Sequence, residues 1–447
     1  MNNFYKFKNF KNTIIFEKYF NNFGLKIFQS AVLLLAAAPF FSFILFLISS
    51  FIGFTEKNNG FFKDKYNWSF IIASIFMITN SFLITTNVIE IPILDVSLVW
   101  IGLLNWLPFF WCFWSFQKFL NTQKLRSDAA KLFLIGSFPV LISGFCQYFL
   151  GFYGPYRFLN NLIIWYQRPL SGTEYGQTGV TGLFNNQNYA GGWLAIIFPI
   201  CLAFLLKSNK NKLKKYLNLT IVICFVTMII LTTSRSAILS IILSYFLFSR
   251  FNKFKIFSLL TTFFLIFGAF KLLLFMNIDI KALSSEFLPN EVYNKLSTFN
   301  LSNLSSFPRV DIWSKTLMFI SNNILFGYGA GSFSKIYESF NGSFGDIQHS
   351  HNIFLELTFN HGILVSILIL FPMINLLISA SRKLLIYGNE EYFCFIEKAW
   401  IISFASFLFI HMFDITYFDG RISLLCWTLL AGLRSMTKND VQNQSSL

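Results

Sequence analysis

The sequence predicts an all-α, polytopic membrane protein of about 11–12 transmembrane helices, with a large extracytoplasmic loop between the late spans. Three observations carry that prediction. Hydrophobic residues fill 55% of the 447 positions and charged residues only 12%, where a soluble domain carries about 25% charged residues. The apolar residues come in runs, each near the roughly 20 residues a helix needs to cross the hydrocarbon. The lysines and arginines behind the formal charge of +15 cluster in short loops between those runs, as the positive-inside rule expects. Topology accounts for most of the charge, so no nucleic-acid partner is implied.

Taken in order, the chain reads as one multi-span membrane domain over 1–447. Residues 1–26 hold Lys6, Lys8, Lys11, Lys18 and Lys26, and no small-residue cleavage pattern follows Leu33 to Leu45; they are expected to form a retained cytoplasmic tail. Candidate spans follow at Ile27 to Phe54, Trp68 to Ile89, Leu98 to Leu120, Leu132 to Phe152, Leu183 to Leu206 and Tyr216 to Thr233. The series continues with Ala237 to Phe248, Ile256 to Met276, Ile353 to Ala380, Ala399 to Phe418 and Ile422 to Leu433. The basic loops Asn121 to Lys131, Lys207 to Lys215, Arg250 to Lys255 and Ser381 to Leu385 are assigned to the cytoplasm, as is a tail at 434–447. This leaves 153–182 and 277–351 as outer loops, and long ordered loops usually carry function. These runs, counted back from the cytoplasmic tail, would put the lysine-rich N-terminus outside; a hairpin in Ile27 to Phe54 near Pro39 restores the parity. The six cysteines lie in or beside apolar runs without CxxC spacing, so neither a disulfide framework nor a zinc site is expected.

Three of the four histidines fall in one window, QHSHNIFLELTFNHG, Gln348 to Gly362. If a helix begins near Ser350, then Asn352, Glu356 and Asn360 lie at i, i+4 and i+8 and form one polar stripe. Such a stripe is costly against lipid, so it should line a cavity or another helix. His351 then sits at the outer mouth of the helix, where an imidazole with an ordinary pKa of about 6.5 can reach water and substrate and act as a general base. A helix cap with interfacial histidines fits the same pattern. Joint metal ligation fits it poorly, because His361 would lie about 15 Å along the axis from His351 and a third ligand would have to come from elsewhere.

LTTSRSA, Leu231 to Ala237, places Arg235 at an outer turn among four hydroxyl residues. A guanidinium there suits a phosphate or diphosphate, and a snorkelling arginine at a helix end is the plainer reading. Arg309 stands two residues before Asp311 in SFPRVDIWSK, an arrangement that a local ion pair would also explain. The glycines of GYGAGSF, Gly327 to Phe333, have phosphate-loop spacing but no strand-turn-helix frame, and are expected to form a flexible turn. TGLFNNQNYAGGW bunches Asn185, Asn186, Gln187 and Asn188 at the outer end of a span, where they cap the helix or hold sugar hydroxyls or a phosphate. Arg157 and Arg168 add basic groups on the same side. His411, Asp414, Asp419 and Arg421 read as an interhelical polar network in or beside one late span.

The SR turn between two spans, the Arg309 to Trp313 element, FGYGAGSF and HSHNIFLE, in that order after TGLFNNQNYAGG, together resemble the O-antigen ligase and Wzy polymerase superfamily. The resemblance covers roughly Leu132 to Gly432. It implies a GT-C-like glycosyltransferase, without metal or other cofactor, that takes a glycan from undecaprenyl diphosphate at the outer, periplasmic face of the plasma membrane. The acceptor is a lipid A core sugar for a ligase and a second lipid-linked repeat for a polymerase. Carried over residue by residue, Arg235 and Arg309 would bind the diphosphate and His351, or its neighbour His349, would act on the acceptor hydroxyl. Asn188, Asn352, Glu356 and Arg168 are the further substrate-binding candidates. The chemistry asks for little more: a sugar diphosphate is already a good leaving group, so an inverting displacement needs its charge neutralised and the attacking hydroxyl deprotonated. An anion transporter of the bicarbonate type is the alternative class. It predicts glycine-broken spans in corresponding halves and polar groups at the midplane, and neither pattern is evident.

Overall fold

The first apolar run turns back on itself at Pro39. In the computed structural model, which describes residues 22–55, 60–86, 88, 96–170, 179–207, 212–248, 308–339, 347–387 and 391–444, helix α1 (22–34) and helix α2 (Pro39–Thr55) are antiparallel. The Ser42 hydroxyl donates to the Ala31 carbonyl at 2.7 Å, and the Phe28 and Phe46 rings meet edge to face at 5.7 Å. The hairpin returns the chain to the side on which it began, as the parity of the basic loops requires.

Helix α3 (Lys65–Thr85) starts at Asp64, whose carboxylate accepts from the Tyr66 N–H. Helices α4 (Val96–Leu103) and α5 (Leu107–Phe116, extended by a 3₁₀ turn over Gln117–Leu120) form one broken crossing, and α6 (Gln123–Gly136) with α7 (Phe138–Phe149) another. Both breaks precede a proline in the first turn of the following helix, Pro108 and Pro139, where the missing N–H costs nothing. A two-stranded antiparallel hairpin, β1 (Tyr156–Phe158) and β2 (Ile163–Trp165), follows α7. Helix α8 (Gln187–Lys207) is the central member, buried throughout Ala190–Ala203. It packs against α9 (Lys212–Leu231) and α10 (Arg235–Phe248). Then come α11 (Pro308–Asn322), α12 (Phe333–Ser339), α13 (Ile353–His361), α14 (Ile363–Tyr387), α15 (Glu391–His411) and α16 (Gly420–Gln444). Helix α15 covers the remaining flank of α8. Six described stretches are long and apolar enough to cross a membrane: Lys65–Thr85, Val96–Leu120, Gln123–Phe149, Gln187–Lys207, Lys212–Leu231 and Ile363–Leu384. The expected span Ile256 to Met276 and the outer-loop residues 277–307 lie outside the described residues.

Three expectations are corrected. The helix after the histidine window starts at Ile353, not Ser350, with Asn352 as its N-cap. The run Ile353 to Ala380 is two helices, broken at Gly362, where φ is +84° and a Cβ would stand 1.9 Å from the Leu325 carbonyl oxygen. Only glycine lets the incoming chain pass there. The glycine-rich stretch is indeed a turn, and a clamped one: the Tyr328 and Gly329 N–H groups donate to the Phe359 and Asn360 carbonyls at 2.7 and 2.9 Å, satisfying acceptors that the end of α13 leaves open. Behind it Ile312, Phe319, Phe333, Tyr337 and Phe359 form a second small core.

Buried charges at the basic end are paired. Arg126 grips Glu397 through Nε and Nη2 at 2.8–3.1 Å and donates Nη1 to the Leu120 carbonyl. Asp64 accepts from Arg434 and Lys438, both at 2.9 Å. Burial by itself would raise the Asp64 carboxyl, but these two cations outweigh it and hold it below the usual carboxylate range. Removing one partner of such a pair strands a buried charge. Glu397→Ala is therefore expected to destabilise the protein by about 3–5 kcal/mol, and the double change Arg126→Met with Glu397→Leu to recover most of that loss, read as thermal unfolding in detergent.

Candidate active site

Two turns from distant parts of the chain build the end of the protein opposite the basic loops. The first is the SR turn. Thr232 donates to the Ile229 carbonyl at 2.6 Å, and Thr233 adopts the left-handed region at φ +54°, a costly conformation for a β-branched residue. Thr232, Thr233, Ser234 and Ser236 are all buried while Arg235, the first residue of α10, is exposed. The hydroxyls hold the turn and the guanidinium alone is presented, at a helix N-terminus whose dipole also favours an anion. The turn lies on α8 at Gly191, where a Cβ would come within 2.8 Å of both Ser234 Cβ and Thr232 Oγ1. That approach explains the glycine in NYAGG.

The second turn is the histidine loop, 349–352, and a set of hydrogen bonds holds it. Asn352 caps α13 by accepting from the Phe354 and Leu355 N–H groups and donates to the Met412 carbonyl. Buried Glu356 accepts from the Ser350 N–H at 2.8 Å and from Asn360 Nδ2 at 3.0 Å. The Trp313 indole of α11 donates to the Ser350 carbonyl at 3.0 Å. Between these anchors His351 sits at φ +55°, which aims its Nδ1 at Asp414 Oδ1, 3.0 Å away. A carboxylate only accepts, so Nδ1 is the donor, and in the neutral ring that leaves Nε2 as the acceptor. Asp414 is buried, and the His351 side chain is 24% exposed.

Arg309 enters at the first turn of α11, one helical turn before Trp313, so the indole that holds the histidine loop also docks the arginine beside it. Asp311 is engaged elsewhere, by the Tyr337 hydroxyl at 2.6 Å and Lys315 at 3.2 Å; the local Arg309–Asp311 pair does not form. Instead, burial and then the charge of Arg235 disfavour the protonated Arg309 guanidinium, with Asp414 opposing them. Two guanidiniums and a His–Asp pair thus share one electrostatic neighbourhood. Among the described residues, neither Arg235 nor Arg309 donates a hydrogen bond or forms an ion pair.

His349 completes the group. Its ring lies 4.2 Å from that of His351, edge to face, and its Nδ1 faces the His351 N–H at 3.3 Å. Burial first, then the nearby His351 and Arg309 charges, push it down to about 3 against the pull of Asp414. Asp414 shows the opposite balance: burial alone would raise it, but His351, His349 and Arg309 hold it below the usual range. By distance, His349, His351 and Asp414 have potential ligand atoms within 4.8 Å of one another. The Arg309 charge acts on both His349 and Asp414, an environment that disfavours a divalent cation and favours an anion.

Of the remaining candidates, Asn352 and Glu356 have side chains committed inside the protein, as cap and brace. Asn188 lies in the first turn of α8, its N–H capped by the Asn186 side chain at 2.7 Å, next to Tyr189, which is within electrostatic reach of Asp414. Arg168 belongs to the segment folded against 181–182, its N–H donating to Thr181 at 3.0 Å. The role of Asp414 was missed by sequence reasoning, which put it inside a span with His411. Helix α15 ends at His411, whose Nδ1 donates to Phe407 and whose Nε2 accepts from the Thr416 N–H, and Asp414 stands in the loop beyond. The signal present was an acid in the otherwise apolar stretch HMFDITYF.

In comparison with known families, residues 220–370 match the Wzy_C family, described as O-antigen ligase. No curated protein matches the chain. The matched segment contains Arg235, Arg309, His349 and His351 and ends before Asp414.

The folded protein keeps His349 neutral, whereas an unfolded histidine gains a proton below about 6.5. Stability is therefore greatest above that value and is lost as pH falls from there toward about 3. His349→Asn, which keeps an acceptor near Nδ1, is expected to flatten the acid limb of a stability–pH profile by about one proton; an unchanged slope would show that His349 is not held neutral.

Proposed function

We propose that this chain, which carries an O-antigen ligase (Wzy_C) domain, transfers a glycan from undecaprenyl diphosphate to an acceptor sugar hydroxyl at the periplasmic face of the plasma membrane. The observation that carries the reading is the placement of two guanidiniums, Arg235 and Arg309, which donate no hydrogen bond among the described residues, in one neighbourhood with the His351–Asp414 pair. The arginines bind the diphosphate and take up the charge that develops on it as its bond to the anomeric carbon breaks. His351 Nε2 receives the proton of the acceptor hydroxyl as that oxygen attacks the anomeric carbon from the opposite side. Asp414 fixes the tautomer that leaves Nε2 basic and stabilises the imidazolium that forms. His349 stays neutral and supports the backbone of His351, so the base role falls to His351. No step requires a metal. Ligase and polymerase chemistry differ only in the acceptor, a lipid A core sugar or a second lipid-linked repeat. An anion-transport reading is disfavoured because these groups gather at one end of the helices, not at the midplane.

The test is glycan transfer from a lipid-linked donor in reconstituted vesicles. His351→Ala is expected to lower the rate by about 10²–10⁴-fold, the usual worth of a general base, and a fully active variant would remove His351 from the chemistry. Asp414→Asn should lower kcat and move the pH profile while leaving donor binding in place. Arg235→Ala and Arg309→Ala should instead weaken binding of the lipid diphosphate. Vesicles that take up bicarbonate but leave the lipid-linked glycan unconsumed would favour the transporter.

A further inference from the structure

An apolar surface follows α7 that the reaction does not use. Phe149, Leu150, Phe152, Tyr153, Phe158 and Leu159 are between 43% and 67% exposed, and they run without interruption from the end of a crossing helix through the β1–β2 hairpin. The hairpin is not loose: Phe158 packs edge to face on Trp165 at 5.1 Å, and the Trp165 indole donates to the Ala37 carbonyl at 2.8 Å, in the turn between α1 and α2.

That anchor sets the hairpin's depth. Helix α2 has 17 residues, so it is about 25 Å long, less than the roughly 30 Å of hydrocarbon. Its inner end stops near that of α5: Gly53 lies against the Ser115 carbonyl, within a turn and a half of Leu120, and Phe54 stacks on Trp111 at 4.0 Å. A helix of this length, ending within a turn and a half of the end of α5, brings Ala37 to about the outer boundary of that hydrocarbon, and tilt would only lower it. Trp165 therefore holds the hairpin at the level where acyl chains meet headgroups.

We infer that the β1–β2 hairpin lies in the outer leaflet and takes phospholipid as its partner. Two strands with open edges cannot enter hydrocarbon, because their outward N–H and C=O groups would go unsatisfied. The backbone lies among the headgroups while Phe158 and Leu159 dip toward the acyl chains, continuing the lipid-facing surface of Phe149 and Leu150. Tyr153 and Tyr156 have the amphipathic rings that suit this layer. Arg157, exposed and paired across the hairpin with Ile164, is placed to meet headgroup phosphates.

The experiment places the photoreactive residue p-benzoylphenylalanine, one position at a time, at Phe158, Leu159, Ile75 and Glu338 of the full-length protein. The protein is reconstituted in vesicles of phosphatidylethanolamine and phosphatidylglycerol free of polyprenyl lipid, and illuminated. Ile75, 58% exposed on α3, is the lipid-facing reference, and Glu338, with a side chain 79% exposed, is the water-facing one. Phospholipid adducts at 158 and 159 are expected to match Ile75 and exceed Glu338 by about tenfold or more, the ratio that a preference of about 1.4 kcal/mol produces. Yields at the Glu338 level would place the hairpin in water and overturn the inference. Cross-linked dimers in place of lipid adducts would overturn it in favour of a second copy of the chain. Leu159, 62% exposed, gives a reading independent of the Phe158–Trp165 contact, so a loss of adducts at 158 alone would mark that contact and a loss at both would overturn the inference.

Discussion

The arrangement at the far end of this protein depends on one clamp, the fixation of Ser350 by Glu356 and Trp313. The Glu356 carboxylate holds the Ser350 N–H and the Trp313 indole holds its carbonyl, so the peptide units on both sides of one buried residue are pinned. With Asn352 locked as a helix cap, His351 is left between two fixed points and is driven into the left-handed region, a conformation that costs about 1–3 kcal/mol and persists only where its surroundings over-determine it. That backbone geometry turns the imidazole toward Asp414. The clamp also couples two elements far apart in sequence, because Trp313 shares its helix face with Arg309. The Trp313 indole bond to Ser350 thereby links the position of His351 to that of Arg309.

The SR turn follows the same logic with different materials. Thr233 is a second non-glycine residue with positive φ, held by a hydroxyl bond from Thr232 and by close packing on Gly191. Its buried hydroxyls are spent on the turn, and the guanidinium of Arg235 faces outward. Both turns are rigid where they meet the bundle and offer one functional group each, the division expected of a preorganised site. The charges they bring together are mostly of one sign. Arg235 and Arg309 share a neighbourhood with the buried Asp414 carboxylate and the neutral His349, and an anionic ligand would balance the second guanidinium.

Much of this was legible in the sequence because it rests on local rules. Apolar runs and basic loops report the membrane and its sidedness, since both follow from the cost of dehydrating charge and backbone. Arg235 and His351 stood out as polar groups in places where a membrane protein has no cheap use for them, whereas Arg309 entered through the family resemblance, its own pattern being that of a local ion pair. The helical spacing of Asn352 and Glu356 is legible in the sequence, but spacing does not say whether a polar stripe meets a ligand or its own loop. Here it meets the loop, because the helix begins at Ile353 and not at Ser350, and Ser350 folds back over its first turn.

What the sequence by itself determined is the all-helical membrane class, the side on which the polar groups gather and the residue types available for chemistry, all of which follow from hydropathy, charge and spacing along the chain. What only the tertiary structure decided is partnership: that Asp414 serves His351, that Asp311 leaves Arg309 alone, that Trp313 docks one loop on another, and that Trp165 sets the depth of an outer hairpin. These contacts join residues from tens to more than a hundred positions apart. Their energies depend on distance in space and on shared burial, quantities that no local pattern of residues encodes.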